Sequence, residues 1–434
     1  MKQILTLLLA VCTLPLAAQK VWTLQECIDY ALEHNTQVLQ GRLQVENAQL
    51  QLHTTRMSRL PDLNASMGQG FGFGRSQGRD GRTEDNTSAN TSFGIYTSVP
   101  LFTAFRIPNQ VKADRESLLS TEQQLEAQKR TLAINVTTCF LNALYYSGLV
   151  GVAQKQLDTD SLLLEQTRAM VRQGRKAESE ALQAEAQLAS SRLQLTTAEG
   201  SLRSARLDLL QVISCDDDSL LPIPAPLDDS ESAAMQARLV ATDAWIEGGM
   251  TAHPSVLSAQ HQMRSSEYQL KVARSAYFPS LNFSAGYNTG YFHSYNYQNL
   301  PFGRQLNLNG SESVSFSLGI PIFNRFATRN SVKRAELNIT AQRLQLDETR
   351  RQLRRQIQQA RIDAINASQR LASAQAAEAA NAAAFQCEQD KYEAGASTLY
   401  TLNQAQQRLT SARNDVVQAH AELLLRLHIL HYYE

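Results

Sequence analysis

The sequence has little cysteine and no excess of either charge. Five cysteines occur among 434 residues, and none forms a CxxC pair, so neither a zinc site nor a redox motif is indicated. Lysine plus arginine and aspartate plus glutamate each total 41, and this balance argues against nucleic acid as a partner. An oxidising compartment would allow a disulfide between Cys27 and Cys215, and the sequence leaves this alternative undecided.

The short motifs that carry catalytic chemistry are also missing. The sequence contains no GxxxxGK[ST], no HExxH and no GxSxG. The glycines of residues 68–72 resemble those of a dinucleotide-binding loop. Such a loop must be followed by a helix, and the sequence predicts none there. His253, His261 and His293 are scattered along the chain. We therefore expect no enzymatic activity, no cofactor and no bound metal.

Long hydrophobic runs are absent after residue 18. Residues 1–18 combine an early lysine, an apolar core and a small-residue end, which is typical of a secretory signal peptide. No later stretch has 18 consecutive apolar residues, which predicts that no helix spans a membrane. An exported chain of this kind is either soluble or a β-structured outer-membrane protein.

The sequence does contain an internal repeat. Residues 106–172 and 327–393 are two helix-forming stretches that begin 221 residues apart and have no proline after Pro108. Gly174 follows the first stretch and Gly395 the second, at the same spacing. At 1.5 Å per residue each helix would be roughly 100 Å long. A compact domain does not require helices of that length.

Four other stretches change their hydrophobic period from 3.6 to 2. In the first of them Leu63, Ala65 and Met67 alternate with asparagine, serine and glycine. This pattern predicts strands that have one apolar face and one polar face. The predicted strands cover about 62–74, 90–101, 280–292 and 312–322.

These elements divide the chain into two similar halves. We predict a signal peptide at 1–18, a first repeat at 19–213, a connector at 214–232 and a second repeat at 233–434. The connector is rich in aspartate and proline, which is typical of an exposed loop. The last helix of each repeat carries leucines every seven residues with small residues between them, as in coiled coils. The predicted helices cover 23–59, 106–172, 177–213, 233–277, 327–393 and 398–433.

Four strands per chain cannot close a transmembrane barrel, because such barrels begin near eight strands. Open strand edges are not tolerated in lipid. The strands therefore either stay in water, as a small sandwich, or join those of other copies in one barrel. Aromatic residues at both ends of the predicted strands favour the shared barrel. They are Phe102, Phe105, Phe323 and Phe326 at one end and Tyr291, Phe292, Tyr295 and Tyr297 at the other.

Short motifs at the strand boundaries occur twice in the same order. Arg59-Leu60-Pro61-Asp62-Leu63 and Tyr277-Phe278-Pro279-Ser280-Leu281 lead into the first strand of each half. Val99-Pro100-Leu101-Phe102 and Ile320-Pro321-Ile322-Phe323 leave the second strand. With the two glycine turns, these motifs make residues 21–434 resemble the outer-membrane efflux ducts of the TolC family.

The resemblance implies a fold, a set of partners and a function. The fold is mainly α with a small antiparallel β part. Three copies would form a twelve-stranded barrel in outer-membrane lipid and a twelve-lane helical tunnel through the periplasm. The implied partners are a periplasmic adaptor and an inner-membrane pump of the RND, ABC or MFS type. The duct would passively conduct substrate in efflux or type I secretion.

The resemblance also implies where the functional residues lie. The turns at Gly174 and Gly395 would form the periplasmic tip that closes the duct and docks the adaptor. The proposed roles fall on docking positions, gate candidates and helix–barrel junctions. These are Gly174, Ser179, Glu180, Gly395 and Thr398 for docking; Arg175, Lys176, Tyr392, Ser397, Thr401 and Gln404 for the gate; and Pro61, Pro100, Pro279 and Pro321 for the junctions.

The gate departs from the pattern of the family. Tyr392 matches a gate tyrosine, but Ser397 replaces a gate arginine, and Thr401 and Gln404 stand where two acids are usual. The sequence therefore predicts no acidic ring, and Arg175 and Lys176 are the candidate cations for a latch.

Two alternatives remain at this stage. A periplasmic coiled-coil adaptor or structural protein would also have long helical hairpins, but it would lack four alternating strands. Drug, metal and protein export share the duct architecture, and no feature of the sequence selects among them.

Overall fold

The computed structural model describes residues 21–77, 81, 83–85, 87–215, 223–224, 250–295 and 298–433. The predicted signal peptide, most of the predicted connector, the beginning of the helix predicted from residue 233, and Tyr297 lie outside the described residues.

The chain is mostly helical, at 73%, with a small antiparallel sheet of four strands, which confirms the predicted fold class for one chain. The helices are α1 (Leu24–His34), α2 (Thr36–Met57), α3 (Arg106–Arg172), α4 (Glu178–Ile213), α5 (Pro254–Ser275), α6 (Phe302–Leu308), α7 (Ala327–Glu393) and α8 (Leu399–His431). The strands are β1 (Val21–Trp22), β2 (Asp62–Gly72), β3 (Arg75–Gln77), β4 (Thr83–Asp85), β5 (Ser88–Phe102), β6 (Ile223–Pro224), β7 (Ser280–Ser294) and β8 (Ser311–Gly319).

The chain divides into two compact units. The first unit is formed by the described residues of Met1–Leu43, Gln123–Val256 and Thr349–Glu434. The second is formed by those of Gln44–Glu122 and Leu257–Glu348. Each unit combines segments of both sequence repeats, because the two long helices α3 and α7 contribute residues to both.

The larger core of the first unit joins α1, α3 and α4. Cys27, Phe140 and Leu209 are fully buried in it. Helix α1 begins with a capping box, in which Glu26 N donates to Thr23 Oγ1 at 3.2 Å and Thr23 N donates to Glu26 Oε2 at 2.9 Å. Cys215 is buried in the same core, and neither it nor Cys27 is part of a disulfide in the structure.

Two short helices of the repeats begin with the same kind of cap. Asn35 precedes α2, and its Oδ1 accepts a hydrogen bond from Gln37 N at 2.9 Å. His253 precedes α5, and its Nδ1 accepts from Ser255 N at 3.3 Å. The two residues stand 218 positions apart, so the repeat extends to the hydrogen bonds that start these helices.

Helices α4 and α8 bury most of their seven-residue seams. Leu188 and Leu209 are buried in α4, and Leu409 and Leu423 in α8.

The apolar stripe of α2 is only partly buried. Val38 and Leu52 are buried, whereas Leu39, Leu43 and Leu50 are exposed by 40–64%. The exposed leucines lie on a separate side of α2, and the residues that the structure describes do not cover them.

By length and composition alone, one described helix, α3, contains an 18-residue stretch apolar enough to cross a membrane, and 28% of that stretch is buried. A search for uninterrupted apolar residues misses this stretch, because polar residues are scattered through it. Val136 and Phe140 of α3 are fully buried in the core of the first unit.

The second unit contains the sheet, in the order β2-β5-β7-β8, with every neighbouring pair antiparallel. Residues directly opposite each other share a face. One row across the four strands is Leu63, Thr97, Ala285 and Val314, and the next row is Asn64, Tyr96, Gly286 and Ser313. The sheet therefore has one mainly apolar face and one polar face. On the polar face the hydroxyl of Tyr96 hydrogen-bonds to Asn288.

The predicted junction prolines lie where helices meet these strands. Pro61 and Pro279 directly precede β2 and β7, while Pro100 lies near the end of β5 and Pro321 follows β8. Between each second strand and the next long helix, two consecutive residues have left-handed backbones. They are Ala104 and Phe105, at φ 48° and 61°, and Arg325 and Phe326, at φ 54° and 63°. The sequence carries no glycine here, so this turn was not predictable from residue type.

Candidate functional site at the helical turns

The turn between α3 and α4 is a Schellman motif. Gly174 has a φ of +70°, Gly174 N donates to Val171 O at 2.9 Å, and Arg175 N donates to Met170 O at 2.9 Å. These bonds satisfy the last carbonyls of α3. An added Cβ on Gly174 would meet nothing within 4 Å. Glycine is therefore favoured here by the positive φ of the backbone and not by a lack of space for a side chain.

The turn between α7 and α8 repeats this geometry. Gly395 has a φ of +74°, Gly395 N donates to Tyr392 O at 3.1 Å, and Ala396 N donates to Lys391 O at 2.8 Å. The Cβ position of Gly395 is equally open. The two turns are thus matched in conformation and hydrogen bonding.

Four side chains connect the first turn to the end of α7. Tyr392 is 2% exposed, and its hydroxyl donates to Glu180 Oε2 at 3.3 Å and lies 3.4 Å from Thr167 Oγ1. Lys176 Nζ is 3.2 Å from Glu180 Oε2 and 4.3 Å from the centre of the Tyr392 ring. We call Thr167, Lys176, Glu180 and Tyr392 the tyrosine cluster. It holds α3, α4 and α7 together through an ion pair, a cation–π contact and hydrogen bonds.

An apolar layer supports the tyrosine cluster. Leu163 and Leu164 of α3, Leu188 of α4 and Leu399 of α8 are all buried around Tyr392. The charged groups are therefore only partly exposed, at 14% for the Lys176 side chain and 27% for Glu180. Partial burial weakens the screening of this ion pair by salt.

The second turn carries hydroxyl groups and one ion pair. Ser397 Oγ donates to Glu388 Oε2 at 3.0 Å and lies 2.6 Å from Thr401 Oγ1. Lys391 Nζ lies 2.6 Å from Glu388 Oε1. The bonds from Lys391 and then Ser397 hold the pKa of Glu388 below its ordinary value. Thr398 caps α8, accepting from Thr401 N at 3.3 Å.

The structure brings together only some of the predicted site residues. Lys176, Glu180 and Tyr392 are in contact, and Ser397, Thr398 and Thr401 form a second group. Arg175, Ser179 and Gln404 are exposed. The sequence interpretation missed Thr167, Glu388 and Lys391. The Glu-x-x-Lys spacing of 388 and 391 is a usable signal for an ion pair on a helix.

A buried carboxylate lies deeper among the same helices. Asp160 of α3 is 1% exposed and receives hydrogen bonds from Gln156 Nε2 at 3.1 Å, Gln187 Nε2 at 3.5 Å and Gln406 Nε2 at 2.6 Å. Ser191 Oγ also donates to it. These donors come from α3, α4 and α8 and are all neutral. Asp160 therefore joins three helices, and its hydrogen-bond donors among the described residues include no cation.

Among the residues that the structure describes, no group of three or more histidine, cysteine, aspartate or glutamate side chains is arranged to hold a metal ion.

Comparison with known proteins identifies the family. The model of the outer membrane efflux protein family matches residues 27–214 and 250–430. The cation efflux system protein CusC of Escherichia coli O157:H7 is 26% identical over 279 residues, which is 60% of this chain and 54% of that protein. The matched part thus spans about half the length of this curated relative. The outer membrane protein TolC of Vibrio cholerae is 24% identical over 98% of this chain and 93% of that protein.

The fold agrees with solved structures. A crystal structure of CusC superposes with a TM-score of 0.80 at 19% identity, covering 94% of this chain and 91% of that one. The family model covers most of the chain and the fold is shared along nearly all of it, so the chain belongs to the outer membrane efflux protein family and is a protein of the outer membrane.

Proposed function

We propose that the protein is a passive exit duct that conducts substrate from the periplasm through the outer membrane. The observation that carries this proposal is the four-stranded sheet, which has one apolar face, one polar face and two open edges. Such a sheet fits a membrane only when its edges are paired, with the apolar face toward lipid and the polar face toward water.

A homotrimer supplies the missing partners. Three four-stranded sheets make a closed barrel of twelve strands, within the range of known transmembrane barrels. Exposed leucines on the helices support the same assembly, because the described part of one chain leaves them uncovered. They include Leu39, Leu43 and Leu50 on α2 and Leu182, Leu193 and Leu207 on α4.

The helical turns fit the role of a closing and docking end. A periplasmic adaptor would contact the exposed residues around Gly174, Ser179, Gly395 and Thr398, and an inner-membrane pump of the RND, ABC or MFS type would supply the energy. The tyrosine cluster is our candidate for the contact that keeps the duct closed, with Lys176 as the latch cation. The sheet and the family match favour this function over a periplasmic adaptor or structural protein.

Purification and electrical recording test the proposal. We expect the full-length protein to need detergent for extraction, to have the mass of three copies in detergent, and to form ion-conducting channels in a planar bilayer. A freely soluble monomer without detergent would contradict the proposal. A detergent-extracted trimer without conductance would keep the assembly but reject the duct.

A further inference from the structure

Asp160 lies on the side of the tyrosine cluster that is away from the helical turns. Along α3 it precedes Thr167 by seven residues and Gly174 by fourteen, which correspond to roughly 10 and 20 Å of helix. Ser191 of α4 and Gln406 of α8 both donate hydrogen bonds to its carboxylate. Asp160 therefore ties α8 to the α3–α4 hairpin, just as the tyrosine cluster ties α7 to that hairpin nearer the turns.

The internal repeat does not account for this set of hydrogen bonds. At the spacing of 221 residues, the counterpart of Asp160 is Asn381, and the counterpart of Ser191 is Ala412. Asn381 Nδ2 donates to Ala377 O of its own helix at 2.8 Å. The second repeat thus has no equivalent carboxylate, and Asp160 is a feature of the first repeat that reaches a helix of the second.

Farther from the turns than Asp160, α3 and α8 are fixed to each other at additional points. Thr410 Oγ1 donates to Gln156 Oε1 at 2.5 Å. An added Cβ on Gly148 would lie 2.6 Å from Val417 Cγ1, so the two helices are in close contact there. A hydrogen bond and close packing therefore hold α8 against α3 on this side of Asp160.

Ion pairs join α7 to α8 on the same side. They are Asp363–Arg426 at 3.1 Å, Arg370–Glu422 at 2.7 Å and Glu378–Arg413 at 3.7 Å. In each pair the α8 member follows Gln406, so each pair lies farther from the turn than the bond between Gln406 and Asp160. The α7–α8 hairpin is thus fastened within itself there and is fixed to α3 through α8.

On the turn side of Asp160, the two hairpins contact each other differently. Leu163, Leu188 and Leu399 pack around Tyr392, and apolar contacts are non-directional. The ion pair of the tyrosine cluster is partly exposed, so water can solvate its groups when they separate. Asp160 is 1% exposed, and a buried carboxylate that loses its donors is left at a high cost in free energy. The hairpins therefore separate more easily on the turn side than at Asp160.

We propose that Asp160 is the anchor at which the opening of the helical end stops. When the tyrosine cluster releases, the turn-side part of the α7–α8 hairpin moves away from α3 and α4, while Asp160 keeps its donors. Asp160 is thus a positioning residue that acts through the helices it holds. The inference rests on the proposed duct and its latch, and it adds where the moving part ends.

Distances between spin labels test the anchor in the full-length protein in detergent. The exposed Cys387 is first replaced by serine, and labelled chains are diluted with unlabelled chains so that an assembly carries one labelled pair. The turn-side pair is Gln183→Cys with Glu393→Cys, and the far-side pair is Lys155→Cys with Ser411→Cys. All four positions are exposed. The Cys387→Ser protein without introduced cysteines gives the background signal.

Releasing the latch with Glu180→Gln and Lys176→Ala should lengthen the turn-side distance by several ångströms and leave the far-side distance unchanged. Adding Asp160→Asn keeps the shape of the side chain but removes its charge, and the far-side distance should then lengthen too. Asp158→Asn makes the same change at an exposed position of the same helix and should not lengthen it.

A second variant covers the case in which Asp160→Asn does not fold. Gln406→Ala removes the donor from α8 and leaves the carboxylate in place, so it should have the same effect on the far-side distance. Gln407→Ala, at the exposed neighbouring position, is its control. With the latch intact, neither Asp160→Asn nor Gln406→Ala should change either distance.

Several results would overturn the anchor. The far-side distance could lengthen on release of the latch alone, or stay unchanged when Asp160→Asn or Gln406→Ala is added. Lengthening in these variants with the latch intact would indicate a general loosening of the bundle instead. Unchanged distances and conductance after Glu180→Gln and Lys176→Ala would reject the latch on which the anchor depends. Channel recording on the same samples identifies a failure of the duct itself, which would appear as a trimer without conductance in every variant.

Discussion

Among single residues, Glu180 is the acidic member of the tyrosine cluster. Its Oε2 atom accepts from Tyr392 and pairs with Lys176, and the carboxylate is only partly exposed. The residue next to this lysine, Arg175, is exposed. The geometry therefore favours Lys176 over Arg175 as the cation of a latch, although both carry the same charge and are adjacent in sequence.

Replacing Glu180 by glutamine should make the duct open more readily. The change removes the ion pair and weakens the bond from Tyr392, a loss of about 1 kcal/mol together. Single-channel recording should then show up to about a fivefold rise in open probability or conductance. Glu178→Gln is the matched control, since it makes the same change at an exposed position of the same turn.

Adding Arg175→Ala to Glu180→Gln should raise the conductance little further, whereas Lys176→Ala alone should resemble Glu180→Gln. Unchanged conductance in all of these variants would remove the latch from the tyrosine cluster.

His253 is a titratable residue built into a helix start. Burial and then the charge of Arg130 lower the pKa of His253 to about 4. The hydrogen bond from Ser255 N to its Nδ1 also requires an unprotonated nitrogen. The unfolded chain takes up a proton near pH 6.5, and the folded chain only near pH 4. Stability from this group is therefore complete above about pH 6.5 and is lost as the pH falls toward 4.

Replacing His253 by asparagine should weaken the acid sensitivity of the fold. Asparagine keeps a capping oxygen, as Asn35 does before α2, but does not titrate. Thermal unfolding followed by helical circular dichroism at pH 7 and pH 5 should show a smaller difference for His253→Asn than for the unchanged protein. His53→Asn, at an exposed position on α2, should leave the difference unchanged. Equal differences in all three proteins would contradict this role.

At the scale of elements, each of the two Schellman turns needs one residue with a left-handed backbone. Gly174 and Gly395 both have positive φ, and a side chain there costs about 1–2 kcal/mol. Gly174→Ala and Gly395→Ala should therefore lower the unfolding temperature by a few degrees. Gly151→Ala within α3 should have no such effect or raise it slightly, because that position is helical and open. A fall of equal size at Gly151 would contradict the conformational explanation.

The end of β7 shows how one open edge is covered within the chain. Strand β7 extends beyond its partner β8, and the side chain of Gln305 from α6 takes the place of a strand there. Its Oε1 accepts from Phe292 N at 3.0 Å, and its Nε2 donates to Phe292 O at 2.9 Å. Asn299 pairs with the backbone of Ser294 in the same way. Amide side chains thus protect the part of β7 that no strand covers.

The buried Asp160 links helices α3, α4 and α8 through hydrogen bonds. A carboxylate without a cationic partner is costly to bury unless donors surround it. The glutamines and serine around it come from separate helices, so their alignment depends on one side chain. Periodicity did not single out this position, because Asp160 is an ordinary polar residue within a long helical pattern.

At the scale of the whole molecule, the sequence repeat and the compact units divide the chain differently. The repeat separates the chain at the connector, but each compact unit draws segments from both halves. This follows because α3 and α7 are far longer than either unit requires. A chain organised in this way leaves strand edges and helix faces uncovered, and the proposed trimer is the arrangement that covers them.

The sequence by itself determined the fold class, the positions of the long helices, the two-faced strands and the glycine turns. These follow from local properties: helix propensity, hydrophobic period and the positive φ that glycine favours. Only the tertiary structure decided that Tyr392 is buried and meets Glu180, and that Asp160 collects donors from three helices. Those facts depend on the distances between helices far apart in sequence, and no local pattern encodes them.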